Sequence, residues 1–416
     1  MSDESFFNKL KGKVTDKAGD LMEVVSGGVE SAGEALSGTV ETIRRRLVGQ
    51  EVTFYPTYGY REGGEWLVPV RVWVHDNRDT PFVEEFIEGK VRAHFERDLG
   101  RPLAEEEAKR LEACLENFIA DDKNAEGVEF TLEGDDQVFP IPGLTTPNGV
   151  IEETVRLPAA KVDALLAANP EAGGWLKVRA RTTDGNGAGG GRILFLEPEG
   201  LSVVSDIDDT IKVTHVPAGK KTVLRNTFLN AFKEAEGMRD RYGKFAEEGR
   251  VSFHYVSGSP WQLFGLLEAF LVGEKGFPAG TFHMKNVGKN ILDHPAGLDS
   301  IIKFVRGGDL ATLDQKIRQI TNLMMNLSGR RFILVGDSGE KDPEVFRAMK
   351  ALFPGRVQDI YIRDVLGGRL EGMKLITGPD VPVSLDTSEL VGEMERLIQS
   401  KKESAPAGEE VGDPKL

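Results

Sequence analysis

The sequence predicts an α/β chain. A Rossmann-like parallel sheet domain over residues 198–385 follows a β-sandwich accessory domain over 51–197, and an amphipathic helix over 1–50 precedes both. Three observations carry this. Residues 1–50 repeat their apolar positions at spacings of 3, 4 and 4; residues 51–197 alternate in short runs between turn signals; and after residue 200 strand patterns alternate with helical ones.

In the first segment Phe7, Leu10, Val14, Ala18 and Leu21 open an 11-residue repeat that runs without a break to Leu47. At about 3.67 residues per turn it lays one straight stripe along a helix. Six interior glycines, at 12, 19, 27, 28, 33 and 38, weaken that helix, so it needs a partner surface. A peripheral membrane surface met through residues 1–48 is one candidate, with Phe6, Phe7 and Leu10 entering and Lys9, Lys11, Lys13 and Lys17 facing anionic headgroups. Self-association of the arm into a right-handed bundle is the other.

Strand runs are expected at 52–60, 66–75, 128–132, 137–141, 151–157, 175–181 and 192–196, separated by turns such as Glu62-Gly63-Gly64 and Asp184-Gly185-Asn186-Gly187. A small antiparallel sandwich follows. A helical insertion at 81–123 interrupts it, with Leu111, Leu115, Phe118 and Ile119 on one face, to lid a neighbouring site or cap the sandwich. Beyond residue 200, strands at 251–257, 281–287, 331–337 and 359–363 alternate with helices at 260–272, 313–327 and 343–353, which implies crossovers and a parallel sheet. After Leu385 a short helix at 388–398 gives way to a tail expected to be disordered.

Composition excludes several classes. A net charge of −15 offers no basic stripe for nucleic acid. Cys114 is the only cysteine, so a reducing cytoplasm is the simpler compartment, with a peripheral membrane location the extension of it. No apolar run reaches the roughly 18 residues of a spanning helix.

The chemistry begins at Leu201-Ser202-Val203-Val204-Ser205-Asp206-Ile207-Asp208-Asp209-Thr210, a buried strand that runs into three carboxylates. Ligand crevices of open α/β sheets lie at the carboxyl ends of strands, and clustered like charges call for a cation. Later strand ends add Ser257-Gly258-Ser259, suited to a phosphate, and Gly336-Asp337 with Asp342 five positions on, hard oxygen ligands suited to Mg²⁺. Lys316 precedes the second of these strands, and Lys285 is its rival for a phosphate. Asp209 can simply cap the segment after it. Trp261, Leu263, Phe264 and Phe270 either line an apolar approach or pack in the core.

These four elements in order resemble the haloacid dehalogenase superfamily, whose motifs are Asp-x-Asp-x-Thr, a strand-end Ser or Thr, a Lys, and Gly-Asp followed by a further Asp. Ser205 to Thr214, Val335 to Glu344 and Ile360-Tyr361-Ile362-Arg363-Asp364 look in particular like the catalytic domain of the fungal actin-patch type, Mg²⁺-dependent phosphatidate phosphatases. The resemblance covers residues 195–370 and implies a haloacid-dehalogenase-like fold and hydrolysis of a lipid phosphate to diacylglycerol and phosphate. By it Asp206 is the nucleophile and Asp208 the general acid and base, which requires a raised pKa or transient proton sharing with Asp206. Thr210 orients that acid, Ser257, Gly258 and Lys316 hold phosphate oxygens, and Asp206, the Asp208 backbone carbonyl, Asp337 and Asp342 serve Mg²⁺. Two alternatives stay open: a soluble phosphomonoesterase with a non-lipid substrate, and a membrane-associated binding protein whose phosphatase fold is secondary.

Overall fold

The computed structural model describes residues 50–76, 88–247, 251–286, 309–363, 365 and 373–375. The arm expected before residue 50, the tail helix and residues 81–87 of the insertion lie outside them. Among the described residues no helix is long and apolar enough to cross a membrane.

Nine strands form the first sheet: β1 (Gln50–Phe54), β2 (Thr57–Glu62), β3 (Glu65–Asp76), β4 (Asp121–Asp122), β5 (Val128–Leu132), β6 (Phe139–Pro140), β7 (Val150–Pro158), β8 (Trp175–Thr182) and β9 (Gly187–Phe195). The expected sandwich has two separate antiparallel sheets, whereas the strands observed make one continuous sheet. Its order is β1-β3-β2-β9-β8-β5-β6, with β4 and β7 on β3. The join is parallel: β1 and β2 both pair antiparallel with β3 and parallel with β9. The sheet then doubles over. Phe54 and Phe130 sit three strand spacings apart along it, about 14 Å if flat, yet their ring centroids are 5.4 Å apart in the core between the two halves.

Glycine makes that join possible. A Cβ at Gly189 would lie 1.9 Å from the Val52 carbonyl oxygen, and one at Gly191 1.9 Å from that of Phe54. Only a chain without side chains can close on β1 so tightly. The same glycines hide residues 187–191 from a periodicity reading, which starts this strand at Arg192.

The second sheet contains β10 (Leu201–Ser205), β11 (Val251–Pro260), β12 (Gly280–Lys285), β13 (Arg331–Asp337), β14 (Val357–Arg363) and β15 (Met373–Leu375), in the order β12-β11-β10-β13-β14-β15. All its pairs are parallel except β14 with β15. Helices cover both faces, so β10 is apolar on both: Val203 belongs to one core and Val204 to the other. The chain is therefore mixed α/β with a parallel sheet.

The helices of the insertion, α1 (Ala93–Leu99) and α2 (Glu105–Ile119), settle their own allegiance by what they bury. Phe95, Leu111, Cys114 and Leu115 share a core with Val203, with Leu224 and Phe228 of the helix at Lys220–Phe228, and with Tyr242 of the helix at Met238–Glu247. They pack on the second sheet's side. Trp261, Leu263, Phe264 and Phe270 are in that same core and buried, so packing is their role.

Candidate active site

β10 is central in its sheet, hydrogen-bonded to β11 and β13, so its carboxyl end opens where three strands finish together. Beyond it the chain makes one tight turn: Ile211 N–H and Lys212 N–H both donate to Ile207 O, at 3.0 and 2.9 Å. Such a turn sets residues four apart over one another. It puts Thr210 on Asp206 and Lys212 on Asp208.

The consequence corrects one expected role. Thr210 Oγ1 donates to Asp206 Oδ2 at 3.0 Å, so it orients the first carboxylate and not the second. Asp208 is held by four other groups. Lys212 Nζ and Thr214 Oγ1 donate to Oδ1, both at 2.7 Å. Ser257 Oγ and Ser259 Oγ donate to Oδ2 at 3.2 and 2.8 Å. Both hydroxyls around Gly258 thus reach the same oxygen. Of the two routes open to Asp208 as an acid, the raised pKa is absent: burial acts upward, but the Lys212 ammonium and the hydroxyl donors bring it down to about 2. Lys212, Thr214 and Ser259 carry this; the sequence assigns no role to the first two and offers Ser259 only as a hydroxyl for phosphate.

Asp209 does what a capping residue does. Its Oδ1 accepts the N–H groups of Thr214 and His215, at 2.8 and 2.7 Å, at a left-handed φ of 58° that an aspartate tolerates. Arg363, at the end of β14, donates to the Asp209 carbonyl at 2.6 Å and fixes the turn from the far side.

The second cluster forms where β13 ends and the helix Asp342–Leu352 begins. Carboxylate oxygens of Asp206, Asp337 and Asp342 lie within 4.8 Å of one another, all buried. Lys316 enters from the helix Asp309–Asn326, with Nζ 2.8 Å from Asp206 Oδ1, 2.8 Å from Glu340 Oε2 and 2.7 Å from Asp342 Oδ1. Lys285, the rival, ends β12 half-buried, while Lys316 is 2% exposed. Glu340 is the member that sequence reasoning passed over; its only signal is its place between Asp337 and Asp342.

One ammonium cannot balance three buried carboxylates and the partly buried Glu340. Burial first, and then mutual repulsion within the cluster, pushes Asp206 and Asp337 well above the usual carboxylate range and raises Glu340 too, Lys316 opposing. Two oxygens are left over. Asp337 Oδ1 accepts the Gly339 and Glu340 amides at 2.6 and 3.2 Å, but Asp337 Oδ2 has no hydrogen-bond partner among the described residues. Asp206 Oδ1 has the Lys316 ion pair but no hydrogen bond of good geometry. Unsatisfied anionic oxygens in a buried, over-acidic cluster fit a hard divalent cation.

Residues 201–364 match the family described as "Phosphatidate phosphatase APP1, catalytic domain". The chain is 32% identical over 171 residues to "Phosphatidate phosphatase APP1" of Saccharomyces cerevisiae, which covers 41% of this chain and 27% of that protein. It is 33% identical over 174 residues to "Uncharacterized protein C29B5.04c" of Schizosaccharomyces pombe, covering 41% and 26%. The chain thus spans about a quarter of the length of the curated relatives it matches. A solved Ruminococcus gnavus β-glucuronidase aligns over 75% of this chain and 44% of its own at 8% identity, and its TM-score of 0.23 carries no argument.

Proposed function

We propose that residues 201–364, matching the APP1-type phosphatidate phosphatase catalytic domain, make this chain a Mg²⁺-dependent hydrolase of phosphatidate or a related lipid phosphate. It works through an aspartyl phosphate on a haloacid-dehalogenase-like fold. The observation that carries this reading is the convergence of Asp206, Asp337 and Asp342 around unsatisfied oxygens, with Lys316 against Asp206.

Asp206, Asp337 and the Asp208 carbonyl would hold the cation, with Asp342 in contact directly or through water. Mg²⁺ bound there neutralises the carboxylates and polarises the phosphoryl oxygens. The chain's own residues do the rest. Asp206 Oδ attacks phosphorus, the bond from phosphorus to the lipid alkoxide breaks, and Lys316, Ser257 and the Gly258 amide hold the phosphoryl oxygens. The alkoxide needs a proton, yet Asp208 rests ionised. A phosphate monoester with its second pKa near 6 can bring that proton as the monoanion and pass it to Asp208 on binding. The ionised Asp208 left after protonating the alkoxide is then the base for the hydrolytic water, whose attack on phosphorus frees Asp206 and phosphate.

Phosphate release from phosphatidate in mixed micelles, with and without Mg²⁺, tests this on the native chain and on Asp206→Asn. Mg²⁺-dependent release abolished by the substitution is expected. Release only from a water-soluble ester would discard the lipid and keep the chemistry; no release from either would leave a binding protein.

A further inference from the structure

The end of β11, which bears on Asp208, is not fixed by its own sheet. Its pairing with β10 stops at Tyr255. On the other side it takes four residues from Val256 to Pro260 while β12 takes two from His283 to Lys285, so the strands leave register across Ser257, Gly258 and Ser259. A bulge of this kind re-aims side chains, and here both hydroxyls meet Asp208 Oδ2, at 3.2 and 2.8 Å. With the ladder interrupted, the place of these residues depends on what grips the chain at either end.

Upstream, Gln315 donates to Ser257 O at 3.1 Å. Downstream, the grip comes from outside the parallel sheet. Asn117 of α2 donates through Nδ2 to Gln262 O at 3.1 Å. Trp261 is buried against the first sheet: the ring of Tyr55, between β1 and β2, has its centroid 4.4 Å away, and the Arg71 guanidinium lies 4.8 Å over the indole. Tyr55 also meets Phe264 edge to face at 5.1 Å. Arg71, on β3, is itself held by an ion pair with Glu152 of β7, so the cation over the indole is anchored to two strands. A further tie follows, from Arg192 of β9 to Glu268 at 2.6 Å.

A cation over a ring and an amide on a carbonyl fix direction as well as depth, which apolar burial alone does not. We propose that Arg71, Tyr55 and Asn117 are positioning residues for catalysis: by holding Trp261 and Gln262 they set the Ser257 and Ser259 hydroxyls on Asp208. The assignment rests on the phosphatase reading and gives the first sheet and the insertion a part in its chemistry. Each of the three acts through the loop, and a misplacement of about 1 Å there is enough to slow a reaction by up to about 100-fold.

The test uses the full chain. Arg71→Leu and Asn117→Leu each remove one grip, from different elements, while Arg71→Lys keeps a cation for the indole. Arg61→Leu is the control: it deletes a stack of the same kind, Arg61 over Trp66 at 4.5 Å with an ion pair to Asp163, among residues that hold no part of the loop. With Mg²⁺, kcat/KM for dioctanoyl phosphatidate should fall about tenfold in each of the first two variants. It should fall by a smaller factor for p-nitrophenyl phosphate, whose leaving group needs no proton from Asp208. Arg71→Lys should restore most of the loss, and Arg61→Leu should leave both values unchanged even if its melting temperature drops as far as that of Arg71→Leu. Amide exchange in residues 257–262, where Ser259 N–H donates to Ser257 Oγ at 2.9 Å, should quicken severalfold in the first two variants and not in the control. Equal losses on the two esters, a loss in Arg61→Leu as large as in Arg71→Leu, or unchanged exchange would each overturn the assignment. A native chain that hydrolyses neither ester would overturn the phosphatase reading and with it the catalytic role; the exchange comparison separates that failure from failure of the grip itself.

Discussion

Lys212 is the residue whose removal says most about how the acidic loop is built. It is 1% exposed, and its Nζ stands 2.7 Å from Asp208 Oδ1. At that separation the gross attraction is about 6 kcal/mol for an effective dielectric near 20, much of it offset by taking two ions out of water. The net on the carboxylate side follows from its pKa, about 2 against an ordinary 3.8. That difference contributes about 2 kcal/mol. The sign is that of a depressed carboxylate: the stabilisation is whole above pH 4 and is lost as pH falls toward 2. Lys212→Met at pH 7 leaves a buried carboxylate without its cation, which costs about 3–5 kcal/mol. Asp208→Asn alone strands the ammonium and should cost a similar amount. The double variant removes both charges, and its amide oxygen still accepts from Ser257 and Ser259 while its NH2 donates to the Thr214 hydroxyl, so it should recover about 2 kcal/mol or more relative to the sum. Urea unfolding at pH 7 of the four proteins measures the cycle without any need for activity. Additive losses, or a single-variant loss under about 1 kcal/mol, would refute the argument that this pair is one unit.

Three further outcomes follow from the same structure. Burial pushes His75 down to about 3 and His283 to about 4, both below the ordinary 6.5. The unfolded chain therefore binds more protons, and stability should fall as pH drops from 6.5 toward 4, by up to about 3 kcal/mol for His283 alone. Equal melting temperatures at pH 7.5 and pH 5 would count against it. Gly191→Ala should destabilise by about 3 kcal/mol, because its Cβ meets a carbonyl oxygen, whereas Gly243→Ala, in a helix with nothing within 4 Å, should be neutral or stabilising by up to about 1 kcal/mol. Comparable urea midpoints for the two would defeat the packing account. Cys114 is fully buried and burial raises it to about 11, so it should resist thiol reagents in the native state. Leu115→Ala should cost about 2–5 kcal/mol and make that thiol reactive; a thiol that stays silent would place the loss elsewhere.

The parallel sheet was legible because its strands are buried on both faces and run into clustered carboxylates and hydroxyls, so Val203-Val204 and Phe332-Ile333-Leu334 announce themselves by composition alone. The carboxylates were legible for the same reason: Asp206 follows β10 directly, Asp337 closes β13, and Asp342 opens the helix five residues on. What escaped was set by backbone geometry. The turn at Ile207 moved Thr210 from one carboxylate to the other and brought Lys212 to Asp208, and a lysine beside apolar residues reads as solvated until its turn is known. The seam between β1 and β9 escaped because close backbone approach selects glycine, and glycine carries no periodicity. The side on which α1 and α2 pack could not be read either, since an amphipathic face states that it is buried and not against what.

That last feature bears on what counts as a separable piece of this molecule. The segment that matches the family's catalytic-domain description begins at residue 201, yet the apolar wall it closes is completed by Phe95, Leu111 and Leu115, contributed a hundred residues upstream. A gene fragment starting at the match would be born with Leu224, Phe228 and Leu229 uncovered, an oily flank inviting aggregation. A portable form of the matched segment must therefore carry those two helices, either through the β strands that bracket them or as a second polypeptide supplied in trans.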